Sequence, residues 1–146
     1  MPIKIPRRVI AEMITHALEK DPNECCGVLL AKGENITKSL KVCNVHENKI
    51  KRYTMDPVQF MEIEANADKK NEKIVAFYHS HTHSQGYPSA TDVKNAVESG
   101  WIDPYYVLIS LVEKTRPYVR AYRIDGDSSV NEIVITTDGS PYIELE

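Results

Sequence analysis

The chain has 146 residues, of which 42% are hydrophobic and 27% are charged, values that are typical of one globular domain and exclude a disordered segment or a fibre. The net charge is −3 and the only dense basic cluster is the short run Lys49, Lys51 and Arg52, which excludes nucleic acid as the main partner. Three cysteines, two of them the neighbours Cys25 and Cys26, cannot form a closed disulfide framework and indicate a reducing compartment.

The first segment of the chain predicts an amphipathic helix. Apolar residues recur at three- and four-residue spacing from Pro6 to Lys20, which places them on one helical face, and a proline suits the first turn. Because this pattern alternates with charged positions, the segment is neither a signal peptide nor a membrane span. We therefore expect a cytoplasmic protein that has no membrane partner.

A hairpin and a loop are expected after this helix. Residues 25–31 form a short apolar run, residues 32–35 have the composition of a turn, and residues 36–42 predict a second strand. The polar residues 44–52 then predict a loop.

The next segments predict a helix and a central strand. Asp56 followed by Pro57 has the character of an N-cap and a first helical turn, and this helix is expected to end near Lys70. Residues 73–78 are an apolar run typical of a strand that is buried on both faces. This strand leads directly to His79.

The second half of the chain predicts one further helix and three strands. The helix covers residues 90–99, is closed by Gly100, and follows a loop over residues 82–88. The order of elements indicates one mixed α/β domain over residues 1–137 and a loosely held C-terminal tail over residues 138–146. The three strands are expected near residues 105–112, 118–124 and 130–136.

The segment with the most informative chemistry lies where the central strand runs out into a loop. Residues two apart in an extended chain point to the same face, so His79 and His81 can present their imidazoles to one metal ion. Asp92 lies in the first turn of the following helix and can swing back towards them. Three protein ligands and one open position are the pattern of a catalytic zinc site. The sequence therefore predicts one zinc ion per chain, held by these three residues.

Each of these residues also has an ordinary structural explanation. Ser89 and Asp92 fit a capping box at the start of a helix, and two neighbouring histidines can be a surface pair or a satisfied buried pair. His83 continues the alternation and would give a site of three histidines, but residues 85–88 indicate that the strand has already ended. Glu24 stands just before an apolar strand, where a solvated carboxylate is common.

Taken together, Glu24, the H-x-H pair and the S-x-x-D segment seven residues later resemble the JAMM motif of the MPN+ metallopeptidases. The chain is particularly similar to compact prokaryotic members that cleave the bond after the C-terminal glycine of ubiquitin-like sulfur-carrier proteins, one type of which releases cysteine. The resemblance implies a cytidine-deaminase-like fold, a curved and mostly antiparallel β-sheet flanked by helices. The similarity covers most of residues 6–124 and is clearest over residues 24–27, 77–82, 87–93 and 106–110.

The resemblance also implies a role for each residue of the motif. It assigns zinc to His79, His81 and Asp92, the general base and proton shuttle to Glu24, and oxyanion stabilisation to Ser89. Zinc can lower the pKa of bound water to about 7, so that a nearby carboxylate can take its proton at neutral pH. The implied function is hydrolysis of the amide bond after the C-terminal glycine of a ubiquitin-like or sulfur-carrier protein, whose conjugate is the substrate.

Two other functions remain open at this stage. One is a cysteine hydrolase in which Cys25 or Cys26 acts with a histidine of the motif, although cysteines in an apolar strand are usually buried and inert. The other is a metal-free scaffold that only binds a ubiquitin-like partner. The sequence does not select between cysteine and a lysine side chain as the released amine, and it allows a homodimer.

Overall fold

The computed structural model describes residues 2–137 and 140–141, and within them it contains three helices and nine strands. None of the helices in this described part of the chain is long and apolar enough to cross a membrane. The helices are α1 (Arg7–Lys20), α2 (Pro57–Lys69) and α3 (Ala90–Ser99). The strands are β1 (Ile3–Lys4), β2 (Cys26–Lys32), β3 (Asn35–Val42), β4 (Lys73–His81), β5 (Tyr105–Ser110), β6 (Tyr118–Ile124), β7 (Val130–Ile133), β8 (Ile135–Thr137) and β9 (Ser140–Pro141).

A six-stranded sheet with the order β3-β2-β4-β5-β6-β7 forms the centre of the molecule. All neighbouring strands run antiparallel except β4 and β5, which are parallel. The register places Cys26 of β2 and Leu108 of β5 on either side of His79. The prediction of a mixed α/β fold with a mostly antiparallel sheet flanked by helices is therefore confirmed.

Alternation along the central strands divides the core into two layers. Leu29 and Tyr78 face α1, whereas Val28 and Phe77 face α2 and α3. Because helices cover both faces, the central strands are buried on both sides, which explains their continuous apolar runs. The buried helical residues that complete the two layers are Val9, Ile10, Met13 and Ala17 from α1, Ala67 from α2 and Ala96 from α3.

Helix α3 is capped at both ends, and its N-terminal cap contains the predicted site residues Ser89 and Asp92. Ser89 is the N-cap, and its Oγ accepts a hydrogen bond from the Asp92 N–H at 3.0 Å, while Asp92 Oδ2 accepts one from the Ser89 N–H at 2.9 Å. This reciprocal capping box satisfies two N–H groups that a helix start leaves unpaired. At the other end Gly100 adopts a φ of 76°, which ends the helix as predicted.

Three elements differ from the sequence-based expectation. Strand β4 continues to His81 because it pairs with β5 as far as Ser110, so both histidines lie in regular strand. The single strand expected over residues 130–136 is divided at Val134, whose carbonyl accepts a hydrogen bond from the Ile3 N–H at 2.9 Å. Strand β8 therefore pairs with β1 in a small second sheet and not with β6. The two-residue strand β1 is too short to give a sequence pattern.

The expected C-terminal tail falls mostly outside the described residues. Of residues 138–146, the structure describes only Ser140–Pro141, which forms β9 and pairs antiparallel with β8. The domain boundary at residue 137 stays a prediction.

Candidate metal centre

Three side-chain atoms converge at the end of β4. His79 Nε2 and His81 Nε2 lie 3.1 Å apart, and each lies 3.1 Å from Asp92 Oδ2. The two histidines lie on the same side of β4 as Phe77, the face covered by α3, because side chains alternate along a strand. The structure thus brings the three predicted ligands together, and among the described residues they form the only such group of His, Cys, Asp and Glu.

Both Nε2 atoms are directed at the Asp92 carboxylate, but only His81 has a hydrogen bond at its other ring nitrogen, since His79 Nδ1 is buried with no partner among the described residues. His81 Nδ1 donates to the carbonyl of Gln85 at 2.8 Å, and since a carbonyl only accepts, Nε2 of the neutral ring carries a lone pair. The ring of His79 is 1% exposed and stacks on Tyr53, with 4.3 Å between the ring centres. The lone pair on His81 Nε2 faces the Asp92 carboxylate and repels it unless a proton or a metal cation lies between them.

The titration of the three groups reflects this arrangement. Burial lowers the pKa of His79. Burial also acts to lower the pKa of His81, but hydrogen bonds to the Asp92 carboxylate and the Gln85 carbonyl raise this pKa above its usual value. Burial alone would raise the pKa of Asp92, but the two histidines and the Ser89 N–H hold it well below its usual range. The site therefore keeps a carboxylate ionised beside two imidazoles at neutral pH.

The donors fit a zinc ion. Three donors of a tetrahedral zinc site, with bonds of about 2.0–2.1 Å, are separated from one another by about 3.3 Å, close to the 3.1 Å between His79, His81 and Asp92. Two imidazole nitrogens and one carboxylate oxygen are ligands that zinc accepts, and a set of three is typical of catalytic zinc, not structural zinc.

Glu24 lies beside this centre, two residues before the buried start of β2. Its side chain is 7% exposed, and its backbone is held from both sides, since its N–H donates to the Lys49 carbonyl at 2.7 Å and its carbonyl accepts from Asn44 Nδ2 at 3.0 Å. Burial raises the pKa of the Glu24 carboxyl to about 7. A carboxyl group that titrates near neutral pH is suited to proton transfer at that pH.

A cavity of about 400 Å³ adjoins the centre on the side of Asp92 and Tyr53, and we name it the apolar cavity. Its walls come from the segment before α2, from α2, β4, α3 and β5, and from the segment that follows α3. Trp101 packs edge-on against two of its aromatic neighbours, with ring centres 5.4 Å and 5.8 Å away. The aromatic residues that line it, besides Tyr53, are Phe60, Phe77, Trp101 and Tyr106.

A second cavity, of about 430 Å³, adjoins the centre on the side of the predicted base. Glu24, His81 and Ser89 line it together with the cationic side chains of Lys51 and Arg52, and we name it the cationic cleft. The predicted general base and the predicted oxyanion donor therefore open into the same space. The apolar cavity therefore adjoins the metal centre at Asp92, and the cationic cleft adjoins it at His81.

The remaining predicted candidates do not join the centre. His83 is exposed, and its Nδ1 is 2.8 Å from Thr82 Oγ1, so it lies outside the ligand group. Cys25 and Cys26 are 2% and 0% exposed. Burial raises the pKa of the Cys25 thiol to about 11 and raises that of Cys26 still further. Both thiols stay protonated at neutral pH, which argues against the cysteine hydrolase alternative.

Several residues of the site had no signal in the sequence. Tyr53, which stacks on His79, follows a polar loop and has no motif spacing. The aromatic lining of the apolar cavity comes from segments that are far apart in the chain and meet only in the folded protein. The basic run at residues 49–52 could be seen in the sequence, but its position beside Glu24 could not.

Comparison with known proteins identifies the family. The model of the prokaryotic homologs of the JAB domain matches residues 6–125. The CysO-cysteine peptidase of Mycobacterium tuberculosis is 33% identical over 126 residues, which cover 85% of this chain and 83% of that protein. A probable TtuB-protein conjugate cleaving protease of Thermus thermophilus is 27% identical over 103 residues, which cover 70% of this chain and 67% of that protein.

A solved structure agrees with these relatives. The solution structure of protein DSY2949 from Desulfitobacterium hafniense matches this chain with a TM-score of 0.78 and 26% identity, covering 92% of both chains. The resemblance to the JAMM family and its fold, first inferred from the motif, is confirmed. The chain belongs to the prokaryotic homologs of the JAB domain.

Proposed function

We propose that this chain is a zinc-dependent peptidase or isopeptidase that hydrolyses the amide bond after the C-terminal glycine of a ubiquitin-like or sulfur-carrier protein. The observation that carries the proposal is the triangle of donors with 3.1 Å edges next to the buried carboxyl of Glu24. The substrate class is supported by the relatives named for CysO-cysteine and for TtuB conjugates. We assign the catalytic domain to residues 1–137.

In this proposal, His79, His81 and Asp92 hold the metal. A zinc ion bound there supplies positive charge, which polarises a substrate carbonyl and lowers the pKa of water. The protein orients the ligands through their second hydrogen bonds, from His81 Nδ1 to the Gln85 carbonyl and from the Ser89 N–H to Asp92. Such partners fix the tautomer and the direction of each ligand.

Glu24 moves the proton. As a carboxylate it accepts a proton from the attacking water, and as the resulting acid it donates this proton to the nitrogen of the departing amine. A pKa of about 7 lets the same group act in both steps at neutral pH. Proton transfer of this kind typically contributes about 10²- to 10⁴-fold to the rate.

Ser89 stabilises the negative charge on the carbonyl oxygen. Its Oγ accepts the Asp92 N–H, so that the hydroxyl proton is left to donate. Ser89 also lines the same cleft as Glu24 and His81, which supports this role. Donors of this kind contribute about 3–4 kcal/mol to the reduction of the barrier.

The test is mass spectrometry after incubation of the purified protein with a panel of conjugates, in which carrier proteins are joined through their terminal glycine to cysteine or to a lysine side chain. We expect one of these two classes of conjugate to yield the carrier with a free terminal glycine. Glu24→Gln should retain zinc and lose activity by about 10²-fold or more, because the amide cannot accept a proton. Glu34→Gln, at an exposed turn far from the centre, is the matched control.

Two results would contradict the proposal. Glu24→Gln could keep more than about a tenth of the wild-type rate, in which case Glu24 is not the base. Alternatively, the chain could bind a carrier conjugate and leave it intact, which would favour the metal-free scaffold.

A further inference from the structure

The basic run at residues 49–52 has no part in the proposed chemistry, yet it lies at the site. Lys51 and Arg52 line the cationic cleft together with Glu24. Neither cation forms an ion pair with an acidic side chain within the described part of the chain. Both side chains are exposed, Arg52 Nη1 donates to the carbonyl of Lys51 at 2.8 Å, and Glu24 is the one acidic residue that lines the cleft. Two positive charges without a salt bridge favour an anionic group of the substrate at this position.

The loop that carries these cations has a defined conformation. Asn44 Nδ2 donates to the carbonyls of Glu24 and Arg52, both at 3.0 Å. Asn44 Oδ1 accepts the N–H groups of His46 and Thr54, also at 3.0 Å. The half-buried amide of Asn44 thus joins both ends of the loop to the backbone of the predicted base. These hydrogen bonds fix the backbone of Arg52 relative to that of Glu24.

The chemistry decides which part of the substrate occupies each cavity. Glu24 donates the proton to the departing amine, so the amine nitrogen must lie within hydrogen-bond reach of Glu24. The leaving group then extends into the cationic cleft, next to Lys51 and Arg52. The acyl part of the substrate is then left to the other cavity that adjoins the centre, the apolar cavity at Asp92.

We propose that Arg52, assisted by Lys51, binds the α-carboxylate of the leaving group, so that the substrate is a carrier protein whose terminal glycine is joined to the α-amino group of a single amino acid. This inference rests on the proposed function. A guanidinium group binds a carboxylate through two parallel hydrogen bonds. A lysine side chain of a second protein carries no carboxylate next to the amide, and it would leave both cations unmatched.

The reaction is a simple hydrolysis. The oxygen of water is added to the glycine carbonyl carbon, the bond between this carbon and the nitrogen breaks, and Glu24 delivers the proton of the water to the nitrogen. The products are the carrier with a terminal carboxylate and a free amino acid. Arg52 selects the substrate and takes no part in the proton transfer.

The experiment uses the carrier that the panel identifies, joined to one alanine that ends either in a free carboxylate or in a carboxamide. The two conjugates differ only in the charge that Arg52 is proposed to bind. We expect wild-type kcat/KM to be about tenfold or more higher for the carboxylate, and Arg52→Ala to reduce this ratio to about one. Arg52→Lys should keep part of the ratio. Lys32→Ala, which removes an exposed cation at the other end of β2, should leave the ratio unchanged.

The ratio separates recognition of the leaving group from a structural effect, because damage to the loop would slow both conjugates equally. Equal wild-type rates on the two conjugates would overturn this inference and leave the proposed function intact. An Arg52→Ala protein that loses activity but retains the wild-type ratio would also overturn it. If wild-type protein with bound zinc cleaves no carrier conjugate at all, the proposed function fails and this inference with it.

Discussion

The hydroxyl group of Ser89 has two tasks at the start of α3. As an acceptor it caps the helix by binding the Asp92 N–H, which also holds a metal-ligating carboxylate in place. As a donor it is proposed to bind the oxygen that becomes negative during hydrolysis. The two tasks use different parts of the hydroxyl and therefore do not compete.

Ser89→Ala separates these tasks. Loss of the cap lowers stability by about 1 kcal/mol, which corresponds to a melting temperature only a few degrees lower. Loss of the donor should lower the single-turnover rate by about 10²- to 10³-fold, with little change in substrate affinity. The control is Asp56→Ala, which removes the N-cap of α2, whose side chain accepts from Val58 N and Gln59 N. A Ser89→Ala protein that is less stable but reacts at the wild-type rate would remove Ser89 from the mechanism.

The carboxyl of Glu24 makes stability depend on pH in the metal-free protein. Its pKa is about 7 in the folded chain and 4.5 ordinarily, so between these values the folded state holds a proton that the unfolded state has lost. The free energy of unfolding therefore falls as pH rises. Glu24→Gln carries no such proton and removes this contribution.

We therefore expect the melting temperature of chelator-treated wild type to fall relative to that of Glu24→Gln between about pH 5 and about pH 8. The measurement is a set of melting curves for both proteins at several pH values in this window. A difference between the two proteins that stays constant across the window would show that the Glu24 pKa is not raised.

At the scale of the elements, Gly27 of β2 pairs with Tyr78 of β4, next to the pair of Cys26 and His79. A β-carbon at Gly27 would overlap the ring of Tyr78 and the carbonyl oxygen of Leu40. Tyr78 is 1% exposed and its hydroxyl is 2.7 Å from Nδ1 of the buried His16, so the ring cannot move aside. The glycine is needed here for space.

Gly27→Ala should therefore destabilise the protein by about 1–3 kcal/mol or more, as overpacking of a rigid core does. Gly126→Ala is the matched control, because the nearest atom to its added β-carbon lies 4.0 Å away, at Ile102. Thermal melts of both variants measure the effect. Equal melting temperatures would mean that the Tyr78 ring and the Leu40 carbonyl give way more easily than the packing indicates.

The elements with strong local signals could be predicted from the sequence. The bounds of α3 follow from a capping box and Gly100, and the alternation of His79 and His81 follows from the period of a strand. The division of the strand at Val134 could not be predicted, because it depends on a hydrogen bond to Ile3 at the other end of the chain. Local patterns carry no information on such distant pairings.

The same limit applies to the site. The metal ligands lie within one short stretch of the chain and have a fixed spacing, so they could be predicted from the sequence. The apolar cavity and the cationic cleft are built from separate segments, and only the folded chain brings Tyr53 and Arg52 beside the centre. The residues proposed to select the substrate are therefore harder to predict from the sequence than the metal ligands are.

At the scale of the whole molecule, the centre joins the sheet to a helix. β4 contributes two ligands and α3 the third, so that a bound ion connects elements which otherwise meet through the layer of Val28 and Phe77. Binding to the folded state alone stabilises it, by about 4 kcal/mol when the free ion exceeds its dissociation constant a thousandfold. The metal is therefore proposed to support both the fold and the reaction.

Zinc content per chain, measured by elemental analysis on purified wild type and single variants, tests this account most directly. We expect about one zinc ion per chain in wild type, in Glu24→Gln and in His83→Ala, and a large loss in His79→Ala and Asp92→Ala, because three ligands hold the ion and the others do not. Circular dichroism of each variant checks that the chain is folded. Full zinc in Asp92→Ala together with its loss in His83→Ala would replace the proposed ligands with three histidines, and a folded wild type that binds no added zinc would contradict the account.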